Sequence, residues 1–142
     1  MEIQYRESRP GADDYWRLYA TTGWNKKYRL SQQDLAQAVG NSWCVVTAHD
    51  GALLIGAGRV VSDGVLHAMI YELITDPAYQ GRGVGTEILA RLVAKCRQAH
   101  IRDIQLFSAQ GKRSFYEKRG FRVRQDDSPG MEFVPPRAAP VR

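Results

Sequence analysis

The sequence predicts an α/β protein built on one mixed sheet, mostly antiparallel, with helices on its flanks. Three observations carry that prediction. The extended apolar runs WCVVTAH (43–49), ALLIGAGRVV (52–61) and VLHAMIYELIT (65–75) follow one another, separated by Asp50-Gly51 and Asp63-Gly64. Both pairs favour tight hairpin turns, so the runs read as an antiparallel meander. A long helical pattern comes next, with Val84, Ile88, Leu89, Leu92, Val93 and Cys96 on one face. DIQLF (103–107) then reads as a strand. The strand–helix–strand stretch is long enough for a crossover, which would lay two strands parallel.

The remaining elements follow in order. Residues 2–6 suit a short first strand. Asp13 and Asp14 mark a helix start, and Tyr15, Leu18 and Tyr19 repeat at helical spacing. Ser31 reads as the N-cap of a helix over 32–39, ended by Gly40-Asn41. After the central meander and the long helix, KRSFYEKR (112–119) predicts another helix, stopped by Gly120. FRVR (121–124) and MEFV (131–134) are candidate final strands. A single domain over 1–134 is expected, with PPRAAPVR (135–142) as a flexible tail.

Composition narrows the function classes. At 142 residues, with 44% hydrophobic and 25% charged side chains, the chain has the balance of a soluble globular domain. No apolar run approaches the roughly 20 residues of a membrane span. MEIQYRESRP has no apolar core of a secretory leader. Cys44 and Cys96 lack metal-ligand spacing and lie in apolar patterns, so they read as reduced core thiols of a cytoplasmic protein. No metal site is expected. The net charge of +5 is spread out, without basic residues interleaved with aromatics on a sheet face, and nucleic acid is not an expected partner.

TDPAYQGRGVGTEILARLV (75–93) raises a sharper question. Glycine costs about 1 kcal/mol relative to Ala inside a helix, yet Gly81, Gly83 and Gly85 stand where one begins. A helix start carries unpaired N–H groups and partial positive charge, and without Cβ atoms in the way a phosphate can rest on them. Thr86 adds a hydroxyl and Arg82 a charge. The nucleotide P-loop fails here, because Gly85-Thr86-Glu87 lacks its Lys. The dinucleotide fingerprint fails because its third glycine is Thr86.

Gln80-Gly81-Arg82-Gly83-Val84-Gly85 matches Gln/Arg-x-x-Gly-x-Gly/Ala, the pyrophosphate loop of the GCN5-related N-acetyltransferases. DPAYQGRGVG and SFYEKRGF (114–121) resemble two motifs of that superfamily, in order and at the expected separation. The chain is thus identified, over about 2–134, as resembling a small bacterial-type single-domain member. The resemblance implies a twisted sheet whose one parallel pair splays apart. It implies acetyl-CoA as donor and direct transfer to a primary amine, of a small molecule or a protein, in a ternary complex. Gln80, Gly81, Arg82, Gly83, Val84, Gly85 and Thr86 would hold the pyrophosphate, and the backbone of Leu73, Ile74 and Thr75 would pair with the pantetheine arm. One position departs: where relatives often carry Asn, this chain has Ala109, flanked by Ser108 and Gln110 as substitutes.

Two side chains stand as catalytic candidates. Glu72 interrupts an apolar strand where many relatives place an acidic residue. Desolvation there would raise its pKa and suit it as a base; the alternative is a strand-end carboxylate facing solvent or paired with an Arg. Tyr116, a phenol with an ordinary pKa near 10, could protonate the leaving thiolate; the alternative is that it packs its helix. Among the histidines, His49 and His100 have no partner in sequence, and His67 is odd-spaced from Glu72, which should send it to the other sheet face. In YATTGWNKKYRLS (19–31), Tyr19, Trp24 and Tyr28 suit an aromatic wall for the acceptor and Asn25 a polar contact, though Trp24 suits a core plug equally. A non-catalytic acyl-CoA-binding module on the same fold is the alternative function. A homodimer is open, since dimers are common among such proteins.

Overall fold

Where two apolar runs meet at an Asp-Gly pair, the chain reverses and the runs zip together. In the computed structural model, which describes residues 2–136, this builds one sheet in the order β1-β2-β3-β4-β5. The elements are β1 (Ile3–Glu7), α1 (Ala12–Ala20), α2 (Asn25–Tyr28), α3 (Gln32–Gly40), β2 (Cys44–Asp50), β3 (Leu53–Ser62), β4 (His67–Thr75), α4 (Val84–Gln98), β5 (Asp103–Leu106) and α5 (Arg113–Glu117). A 3-10 turn, Pro77–Tyr79, links β4 to α4. The first four strands pair antiparallel, and β4 runs parallel to β5.

Turn chemistry is explicit in the β3–β4 hairpin. Asp63 accepts from the backbone N–H groups of Val65, Leu66 and His67, while Gly64 takes φ +78°. Those amide bonds, Leu66 first, hold the Asp63 carboxyl below its usual range. Ser31 caps α3 as its sequence suggests: its hydroxyl accepts from Asp34 N–H, and the Asp34 carboxylate returns the bond to Ser31 N–H.

Each sheet face is covered by a different helix set. Tyr15, Leu18 and Tyr19 of α1 join Leu35 and Val39 of α3 in a core with Val45, Leu54, Ala57 and Ile74. On the opposite face lies α4, whose Val84, Ile88, Leu89, Leu92 and Cys96 are buried. Two glycines of β3 let α4 approach. A Cβ on Gly56 would come within 2.9 Å of Ile88 Cδ1, and one on Gly58 within 2.8 Å of Leu92 Cδ1.

The chain divides after Phe107 into a unit holding all five strands and a second, smaller one that begins at Ser108. In the second unit α5 forms within 112–119, and Gly120 follows with φ +94°. FRVR and MEFV are not strands. A strand exists only where a ladder partner satisfies its backbone, and within this unit neither segment has one. Arg124 instead closes a local turn by donating to Ser128 O and Oγ. Of the expected flexible tail, residues 137–142 lie outside the described residues.

Candidate functional site

The site begins with an irregularity in β4. Ala57 pairs with Ile74 and Arg59 with Tyr71, so Glu72 and Leu73 both fall opposite Gly58. This is a β-bulge, and its first residue, Glu72, has φ +44°. Pairing with β5 covers only His67–Ile70 of β4. Beyond the bulge, Ile74 and Thr75 resume antiparallel pairing with Ala57 and Gly56 of β3, and residues 72–75 have no strand partner on the other edge among the described residues. Leu73, Ile74 and Thr75 therefore stand on the free edge that main-chain pairing with an arm-like ligand would need.

The bulge also turns consecutive side chains the same way. The Tyr71 ring lies 5.5 Å from the Arg59 guanidinium carbon, and Glu72 Oε2 accepts from Arg59 Nε at 2.7 Å. Of the two readings of Glu72, the ion pair is the one the structure shows: the carboxylate is not isolated in an apolar strand but paired with an Arg, with Glu72 and Arg59 side chains 23% and 16% exposed. One expectation is corrected. His67 is not on the opposite face by parity, because the extra residue cancels the odd spacing; it shares the face of Tyr71 but pairs with Asp103, 2.7 Å away.

Arg59 is the residue that sequence reasoning missed. No local pattern marks a partner that arrives from a neighbouring strand. Its Nη1 also donates to Ser42 Oγ at 3.2 Å and to the Ala38 carbonyl at 3.5 Å. Tyr15 and Tyr19 of α1 complete the surroundings. Burial, then the nearby Glu72 charge, pushes the Tyr15 phenol well above its ordinary range and raises that of Tyr19.

Next to the free edge lies the glycine loop. Asp76 caps the 3-10 turn by accepting from Ala78 N–H and pairs with Arg17 at 3.1 Å. Gly81 and Gly83 take φ +79° and +80°, and a Cβ at either would meet nothing within 4 Å. The glycines are thus required by backbone conformation, and the space ahead of them is open. Gly83 is the N-cap of α4 and brings no side chain to its first amides; Val84 is buried beneath, and Gly85 and Thr86 lie in the first turn. The Arg82 guanidinium sits 5.3 Å from the Tyr79 ring, and Gln80 Nε2 donates to Thr75 O. An open, positively disposed helix start of this kind fits a pyrophosphate.

At the other end of the same core, Tyr19 meets Trp24 edge-on at 6.1 Å. Trp24 is 38% exposed and Tyr28 60%, so Trp24 does not plug the core, whereas Tyr19, expected in the same wall, is buried in the core. Asn25 is committed elsewhere: its amide donates to Leu30 O and its carbonyl accepts from Leu30 N–H. It closes the loop that presents the two aromatics.

In the second unit, Tyr116 packs edge-on against Phe115 at 5.1 Å and Phe121 at 5.9 Å. Within that unit its hydroxyl meets no hydrogen-bond partner. Burial raises its pKa above the ordinary phenol value expected from sequence. Nearby, the Ser108 hydroxyl is turned onto the Ala109 carbonyl.

Cys44 and Cys96 are buried and free, and burial pushes the Cys44 thiol up to about 11. A thiol so rarely ionised is a poor nucleophile. Among the described residues no cluster of His, Cys, Asp and Glu is placed to hold a metal, and no helix is long and apolar enough to cross a membrane.

Comparison with known proteins gives a consistent picture. The acetyltransferase (GNAT) domain family model matches residues 17–135. The chain is 31% identical over 133 residues to histone acetyltransferase TAP1 of Glycine max, covering 86% of this chain and 56% of that one. It spans about half the length of the curated relatives it matches. A GNAT family acetyltransferase of Streptococcus pneumoniae shares the fold, with TM-score 0.78 and 24% identity over 94% of this chain and 98% of that chain. So does an acetyltransferase from Clostridium acetobutylicum crystallised with acetyl-CoA, with TM-score 0.68 and 18% identity over 92% and 96% of the two chains.

Proposed function

The chain belongs to the GNAT acetyltransferase family, and from that premise we propose that it transfers an acetyl group from acetyl-CoA to a primary amine by direct attack. The observation that carries the proposal is the free edge of β4 after Ile70, opened at the Glu72 bulge and continuous with the glycine loop. The backbone of Leu73 to Thr75 offers main-chain bonds to an amide-bearing arm, and the loop from Gln80 to Thr86 offers amides and Arg82 to a pyrophosphate. The family's donor, acetyl-CoA, carries both groups and supplies the thioester.

The residues would divide the chemistry as follows. The amine nitrogen must be neutral before it attacks the thioester carbonyl, and Glu72 takes its proton directly or through water. As the nitrogen–carbon bond forms the carbon–sulfur bond breaks; the Tyr116 O–H supplies the proton that the departing sulfur needs, and the surplus proton of the new amide nitrogen leaves to water, from which the phenol is restored. Trp24 and Tyr28 form an aromatic wall on which an acceptor carrying a flat or cationic body would rest. The burial of Cys44 and Cys96 supports direct transfer over a route through an acetylated cysteine.

The Arg59 pairing of Glu72 favours a second reading, a non-catalytic acyl-CoA-binding module. One experiment separates the two. Thiol release from acetyl-CoA is measured across a panel of aryl-alkylamines, polyamines, amino acids and peptides. Amine-dependent release supports the enzyme. Tight coenzyme A binding with no release for any amine would favour the module, and the absence of both would defeat either reading.

A further inference from the structure

We propose that Arg59 is a positioning residue for acetyl transfer: anchored on the C-terminal end of α3, it grips one oxygen of Glu72 and presents the other to the acceptor amine. This rests on the reading of Glu72 as the proton acceptor, and its geometry stands independently. The guanidinium engages three groups from two directions. Nε meets Glu72 Oε2 at 2.7 Å, while Nη1 reaches Ser42 Oγ and the Ala38 carbonyl. The Tyr71 ring lies against it at 5.5 Å.

Such an arrangement answers a mechanical problem. Glu72 sits at φ +44° in a bulge, a conformation that costs a non-glycine residue free energy and persists only where neighbours over-determine it. A flexible Glu side chain leaving a strained backbone samples several rotamers, and a base misplaced by about 1 Å forfeits about 100-fold in rate. A fork fixed at both ends removes that freedom. Lysine could reach the carboxylate but, as a single point charge, could not also brace in the plane of the α3 terminus.

The same contact sets the charge environment of Glu72. The groups around it are Arg59 from β3, Tyr71 from its own strand, Tyr15 and Tyr19 from α1, and Tyr28 of α2 beyond Tyr19. The phenols of Tyr15 and Tyr19 are raised by burial and stay neutral at physiological pH. Arg59 is therefore the one cation of this group. Its removal leaves a half-buried carboxylate with neither an opposite charge nor a donor to hold it in one position.

The test uses the full chain with Arg59→Met, Arg59→Lys and Glu72→Gln, each checked by thermal melting and coenzyme A binding. With an accepted amine, Arg59→Met should lower kcat about 10- to 100-fold with little change in the KM for acetyl-CoA. Arg59→Lys should recover part of the loss. In a Glu72→Gln background, Arg59→Met should cost nothing further in kcat. A crystal structure of the Arg59→Met chain gives a readout independent of turnover: the Glu72 carboxyl should leave its single position and spread over several rotamers. If Arg59→Met does not fold, Arg59→Gln, which keeps a donor, takes its place. A folded variant with wild-type kcat and Glu72 in its original position overturns the proposal, as does an equal loss in both backgrounds. Should no amine be acetylated by the wild type, the function is refuted, while the position of Glu72 in the variant still decides whether Arg59 holds it.

Discussion

The Tyr79 hydroxyl donates to the Asp50 carboxylate at 2.5 Å, tying the β2–β3 hairpin to the turn that launches the glycine loop. That bond, ahead of burial, raises the Tyr79 pKa. The Tyr79 ring in turn carries the Arg82 guanidinium on its face. The cation that we propose for a pyrophosphate thus rests on a ring held by a contact far away in sequence. Tyr79→Phe keeps the ring but releases the hairpin. Coenzyme A affinity should weaken severalfold in titration calorimetry, with the catalytic rate at saturation preserved. Wild-type affinity would show that the loop holds its shape without the tether.

Gly83→Val tests the loop itself. A Cβ there meets no protein atom within 4 Å, so the cost of the change is not a clash. It is the φ of +80°, worth about 1–2 kcal/mol for a residue with a Cβ, and the loss of open space for a phosphate. The variant should stay folded, melt at lower temperature and bind coenzyme A at least about tenfold more weakly. A folded variant with undiminished affinity would detach the glycines from phosphate binding.

For Glu72, the isosteric change Glu72→Gln removes the carboxylate base, while the amide oxygen can still accept from Arg59 Nε. Turnover at neutral pH should fall by roughly 10²- to 10⁴-fold. High pH should restore part of it, since the amine then loses its proton in solution. A pH–rate profile that keeps its shape and height would assign Glu72 to holding the bulge.

The raised pKa of Tyr116 has a definite sign in kinetics. An acid must be protonated to act, so a phenol lifted above 10 by burial keeps kcat level to more alkaline pH than an exposed tyrosine would. Tyr116→Phe should lower kcat about tenfold or more with a sluggish acceptor and abolish the alkaline limb. Acetyl-CoA affinity should hardly change. Wild-type rates with both a poor and a good acceptor, at an unchanged melting temperature, would leave Tyr116 as a packing residue beside Phe115 and Phe121.

Legibility in the sequence followed the range of the interactions. The α1 face of Tyr15, Leu18 and Tyr19, the Ser31 cap and both Asp-Gly hairpins depend on near neighbours, and they were readable. So was the glycine loop, whose φ values are a local property. The four residues of α2 are too few to show a period. The bulge leaves no trace in an apolar run, because one added residue changes which face a side chain takes and not which residues are apolar. Arg59 and Tyr79 find their partners across the sheet and across the hairpin, where no spacing rule reaches. Gly56 and Gly58 carry no local signal of their role in β3, which comes from the approach of α4. FRVR and MEFV show the opposite failure: the alternation is present, and no ladder forms in their unit.

The left-handed backbone at position 72 also constrains descent. Strands draw on Val, Ile and Thr, yet a branched Cβ is the worst tenant of a positive φ. A lineage exploring substitutions here is steered away from ordinary strand formers and toward Asp, Asn and Gly, which enter that region most readily. Asp would ease the backbone and draw the carboxylate back from Arg59 by one methylene; Asn would keep the shape and give up the charge. The bulge thus acts as a sieve on the alphabet, so the repertoire open to this position over evolutionary time is narrowed by conformation before selection on chemistry begins.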